Sequence, residues 1–189
     1  MNTPAHLLIG SAAFASPDRR GTFLWAALGS LAPDLSLYVM AMVSLFVLGI
    51  SPQVVFGEYY YSDAWQAVFA IDNSFILWAV GLAVAVAVKA PRAIAFAAAG
   101  LLHIALDFPL HTHDARQHFW PVTDWVFHSP VSYWDSGAYA NIVGPVALAL
   151  SLGAALWIWS RFRHWAIRLV TVVLALMELL SSGIWRLVF

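Results

Sequence analysis

Four of the seven histidines fall in one stretch, Leu101 to Trp120, which reads L-L-H-I-A-L-D-F-P-L-H-T-H-D-A-R-Q-H-F-W. His103 and Asp107 are four residues apart, so on a helix they share one face and can grip one ion or each other. Pro109 removes a backbone N–H and pushes Phe108 out of the α region. The helix should stop there, with His111, His113, Asp114 and His118 on an irregular segment beyond it. Other ionisable residues stand in apolar surroundings: His6, Asp34 after Pro33, Asp72 beside Asn73, and Glu178. His6, Asp34, His103 and Asp107 form a nitrogen and oxygen donor set that suits Zn²⁺ first, and less selectively Mn²⁺ or Fe²⁺. With an open coordination position, such an ion activates water and polarises a phosphoryl or acyl oxygen. The same residues have plainer uses. His103 and Asp107 can form a buried hydrogen-bonded pair, Asp34 can cap the helix that resumes after Pro33, His6 can sit at an interface, and Glu178 can pair with an arginine or hydroxyl.

The elements that must hold these residues are membrane helices. The 189 residues are 62% hydrophobic and 10% charged, beyond the range of a soluble domain. Ten tryptophans and twelve phenylalanines suit the two membrane interfaces. There is no cysteine, which excludes disulfides and thiolate metal sites, and the formal charge of −1 leaves no basic footprint for nucleic acid. The expected fold is an all-α polytopic bundle, a single integral membrane domain over residues 1–189, with about five spans and a short N-terminal helix that enters half the bilayer.

That short helix starts at Thr3-Pro4 and runs to about Ala15, too short to span. Ala13-Phe14-Ala15 has the small residues of a signal cleavage site, but no Lys or Arg precedes the apolar segment, so the helix is expected to stay with the chain. Spans are expected over Thr22 to Ile50, Phe75 to Val88, Ala93 to Asp107, Ala138 to Ser160, and Ala166 to Trp185. A short interfacial helix is expected from Asp63 onward. Arg19, Arg20, Lys89, Arg92, Arg161, Arg163 and Arg168 fall in alternate connections, leaving Arg116 and Arg186 on the other side. By the positive-inside rule the loops of about 51–72 and 108–136 then face outward, to the periplasm if the membrane is a bacterial inner membrane. Counting the helical rise from each cytoplasmic end puts His6, Asp34, His103, Asp107 and Glu178 at roughly 15 to 21 Å depth. Five ionisable residues at one level imply a shared site in the outer half of the bilayer, since such groups usually face a bundle interior and do chemistry there.

Three blocks in this order carry a resemblance: His6 in T-P-A-H-L-L-I-G, Leu28 to Asp34 as L-G-S-L-A-P-D, and Gly100 to Asp107 as G-L-L-H-I-A-L-D. Together they resemble the signature blocks of the membrane-bound metal-dependent hydrolase family, and the latter two are similar to blocks of the zinc-dependent phospholipase C group. The resemblance covers most of the first 121 residues, with Pro121 matching a later proline. It implies that His6, Asp34, His103 and Asp107 bind the metal, one or two ions in all. The family pattern has His-Ser where this chain has Asn73-Ser74, so Asp72 or Asn73 is expected to complete the coordination. His111 or Asp114 is the expected general acid or base. The expected substrate is a phosphoester of a membrane lipid or another amphiphile. Two other classes share these features: a metal or proton transporter, in which Glu178 would matter as much as His103, and a non-catalytic assembly protein in which the polar cluster is a structural network.

Overall fold

The computed structural model describes the backbone of residues 1–188 and the side chains of residues 1–181. It is all-helical, with no strand among the described residues. The helices are α1 (Thr3–Phe14), α2 (Thr22–Met42), α3 (Pro52–Val54), α4 (Asp63–Asp72), α5 (Phe75–Ala87), α6 (Pro91–Asp107), α7 (Ala140–Arg161) and α8 (Trp165–Val188). Four stretches among the described residues are long and apolar enough to cross a membrane: Thr22–Val47, Asp63–Ala87, Pro91–Leu110 and Ala140–Arg161. Where a fifth span was expected the chain forms helix α8, which is not among these four. Trp185 and Arg186, placed by the sequence at its outer end, lie beyond the described side chains.

The expected interfacial helix and second span form one membrane-length stretch, Asp63–Ala87, broken at its middle. The break has a local cause. Asn73 leaves the helical region at φ −101° and ψ 17°, and the Ser74 hydroxyl then accepts the Leu77 N–H to cap α5. Asn73 therefore lies inside the stretch rather than at its outer end. At the other expected helix end, α6 stops at Asp107, but Pro109 does not push Phe108 out of the α region. Phe108 stays helical at φ −47° and ψ −46°, because a 3₁₀ turn, Phe108–Leu110, accommodates the proline in its first turn, and the chain becomes extended only at His111.

The short helix α1 is the hub. It packs on α2, α6, α7 and α8, and it buries Ala5, His6, Leu8, Gly10 and Ser11. Its 12 residues reach about 18 Å, little more than half the hydrocarbon thickness. The most extensive helix packing is between α2 and α6. Lipid is as apolar as a leucine side chain, so helices in a bilayer associate by close fit rather than by hydrophobic burial. Gly29 provides that fit, because a Cβ there would run into the Phe96 backbone carbonyl on α6. The rest of the core is correspondingly small: Ala26, Ala95, Ala99 and Ala155 surround Leu8, Ile158 and Phe162. Larger apolar side chains, such as Phe46, Val84, Leu156 and Leu180, point outward.

Candidate metal centre

Three helices bring the central donors together. His6 comes from α1, Asp34 from α2, and His103 and Asp107 from successive turns of α6. His6 and His103 are each 1% exposed, and their rings stack at 3.7 Å between centroids. His6, His103 and Asp107 each offer a ligand atom, and these atoms lie within 4.8 Å of one another. His6 Nε2 is 3.0 Å from Asp107 Oδ1, and the Met1 ammonium contacts the same oxygen.

A backbone carbonyl on α2 orients His103: Ser30 C=O accepts the His103 Nδ1–H at 2.6 Å. This bond commits Nδ1 and turns Nε2 inward. Nε2 faces two carboxylates, Asp107 Oδ2 at 3.4 Å and Asp34 Oδ2 at 3.7 Å, yet it is buried without a hydrogen-bond partner. His6 Nδ1 is likewise buried and unpartnered. The donor set, its burial and its orphaned nitrogens fit a metal ion.

Beyond Asp107, the histidine loop continues the network. His111 Nε2 is 3.4 Å from Asp107 Oδ2, and His111 Nδ1 donates to Asp114 Oδ2 at 2.7 Å. Asp114 is itself held by the Trp134 indole N–H at 3.2 Å and the Thr112 backbone N–H at 3.1 Å. Burial alone would push the His111 imidazole down, but the Asp107 carboxylate, aided by Asp114, outweighs it and raises the pKa. Burial would push Asp114 up, but the hydrogen bond from His111 keeps it below the usual carboxylate range. His118 has no such carboxylate, and burial pushes it down to about 4. Its Nδ1–H donates to the Arg116 carbonyl, and its ring sits against Phe75 and Phe108.

The other expected donors stand apart. Asp72 ends α4 and lines a surface cleft with Leu77, Trp78 and Phe96, none of which belongs to the centre. Asn73 is buried near Asp34, but its side chain binds Arg116 and two backbone carbonyls. His113 is on the outside, 4.0 Å from Asp135, and His128 donates to the Thr112 carbonyl. Glu178 is buried on α8 and accepts from the Asn2 side-chain amide at 3.1 Å. One participant escaped sequence reasoning. Arg116, 7% exposed, reaches in from the loop to within 3.4 Å of Asp34 Oδ1. Its signal was the presence of a lone arginine in the loop of residues 108–136, against the charge bias of the chain.

No family model, curated protein or solved structure matches this chain.

Proposed function

We propose that the chain is a membrane-embedded metal-dependent hydrolase acting on a phosphoester of a lipid or another amphiphile, with Zn²⁺ as the ion and Mn²⁺ or Fe²⁺ as alternatives. The observation that carries this reading is the buried cluster of His6, His103 and Asp107 ligand atoms within 4.8 Å of one another, with a partnerless His103 Nε2 directed at Asp34 and Asp107. The resemblance of the three sequence blocks to membrane-bound metal-dependent hydrolases supports it. A bound ion would supply Lewis acidity and activate water. His6, His103 and Asp107 would hold it, with Asp34 facing His103 from α2. His111 is suited to carry the proton, because its Nε2 points toward the centre and its Nδ1 is anchored. Asp114 then positions His111. The substrate's amphiphilic character follows from the depth of the site, and the basic connections favour a bacterial inner membrane with the histidine loop in the periplasm.

The test is metal content by mass spectrometry on detergent-purified protein, wild type beside His103→Ala and Asp107→Asn. Near-stoichiometric zinc or manganese in wild type, lost in both variants, is the expected result, and lipid phosphoesters are then screened for hydrolysis. Folded wild type that takes up no metal after incubation with zinc overturns the reading. The structural-network alternative would then hold, and it has an observation of its own: the Met1 ammonium already pairs with Asp107, and His6 Nε2 lies 3.0 Å from the same oxygen.

A further inference from the structure

Arg116 is a permanent cation inside the centre, and its partners are the groups that would otherwise serve a second ion. Its Nη1 donates to Asn73 Oδ1 at 3.1 Å and to Asp34 Oδ1 at 3.4 Å. The guanidinium also lies 4.7 Å over the Phe69 ring on α4. Asn73 cannot turn its amide around, since its Nδ2 donates to the Pro33 carbonyl at 3.2 Å and the Phe69 carbonyl at 3.0 Å. Its oxygen is thereby committed to Arg116. The Asp34 carboxylate is divided between two neighbours, with Oδ2 toward His103 and Oδ1 toward Arg116.

Building on the metal reading above, we infer that the centre takes one ion, on His6, His103 and Asp107, and that Arg116 provides the second positive charge across Asp34. A second ion on this side would draw on Asp34 Oδ1 and Asn73 Oδ1, and both already accept from the guanidinium. Arginine does not deprotonate in proteins, so the site cannot be vacated by a change of pH. A divalent ion placed there would sit at hydrogen-bond distance from a like charge in a poorly screened interior. The burial of Arg116 is consistent with the same division, because a buried charge persists where it is paired, and Asp34 pairs it. Asn73 fits as a neutral acceptor for that guanidinium, which a metal-binding histidine in its place would not be. Next to an ion, a fixed guanidinium also receives negative charge that develops on a substrate oxygen.

Counting ions on the full chain tests this. At saturating zinc, followed by removal of loosely held metal, wild type should retain one zinc per chain. The Asn73→His/Arg116→Met double variant, which removes the charge and restores a histidine, should retain two. Two zinc ions in wild type overturn the inference and leave the hydrolase reading intact, whereas none overturns both. A folded double variant that stays at one zinc also overturns the role given to Arg116. Cobalt-loaded wild type gives an answer that needs no substitution. Its paramagnetic resonance signal should rise to one equivalent and keep its form, and loss of intensity through coupling between one and two equivalents overturns the inference.

Discussion

Among the individual residues, His111 and Asp114 divide two tasks between them. If His111 moves the proton and Asp114 orients it, His111→Asn should lower hydrolysis by about 100- to 10,000-fold. Asp114→Asn should cost less, and zinc content should stay unchanged in both. Glu178 separates catalysis from transport: Glu178→Gln should leave hydrolysis within a few-fold of wild type, since Glu178 faces Asn2 rather than the donor group. A loss as large as that of His103→Ala would instead favour a carrier. His118 predicts a pH dependence of stability. Its folded pKa of about 4 lies below its ordinary 6.5, so between these values the unfolded chain holds a proton that the folded chain lacks. Stability from this group is complete above about pH 6.5 and declines as pH falls toward 4. Thermal denaturation in detergent across that window, compared with His118→Asn, should show a shallower acid decline in the variant. His6, Asp34, His103 and Asp107 were legible as a group because ionisable side chains at membrane depth are expensive and seldom placed idly. Arg116 was not, because an irregular loop has no periodicity from which a side chain's direction can be read.

At the scale of elements, the centre depends on how closely α2 and α6 approach. Gly29 allows α2 to rest on the α6 backbone at Phe96, and the next residue, Ser30, provides the carbonyl that orients His103. Gly29→Ala should therefore cost roughly 1–3 kcal/mol of stability as an overpacked contact. It should also weaken zinc binding although it touches no ligand, and melting temperature and zinc affinity measured together check both effects. The end of α6 at Asp107 was readable beside Pro109, whereas its start, expected at Ala93, lies at Pro91, which fits the first helical turn. The break between α4 and α5 was harder to place. Asn73-Ser74 has the chemistry of a helix start, and that alone does not say whether the preceding helix lies at the interface or continues the span. Tertiary contacts decide it: the Asn73 amide is drawn to the Pro33 carbonyl on α2.

For the whole molecule, an all-helical bundle with several apolar helices was legible from composition, because only helices or closed barrels satisfy the backbone in lipid. The number of spans was less so: α8 follows α7 after a connection of three residues, and its described side chains end at Ser181. The absence of cysteine makes topology directly measurable. In intact cells, Thr123→Cys should react with a membrane-impermeant maleimide, and Ser16→Cys should react only after permeabilisation. The reverse pattern would invert the proposed orientation. The central position of α1 bears on biosynthesis. This helix leaves the ribosome before every neighbour that will enclose it, and His6 meets Asp107 across 101 positions of chain. Loop closure over that separation is slow compared with local helix formation. The nascent N-terminal segment must therefore wait, partly uncovered, until α6 brings His103 and Asp107 to His6 and until α7 and α8 enclose it, so a chain arrested before α6 should bind no zinc.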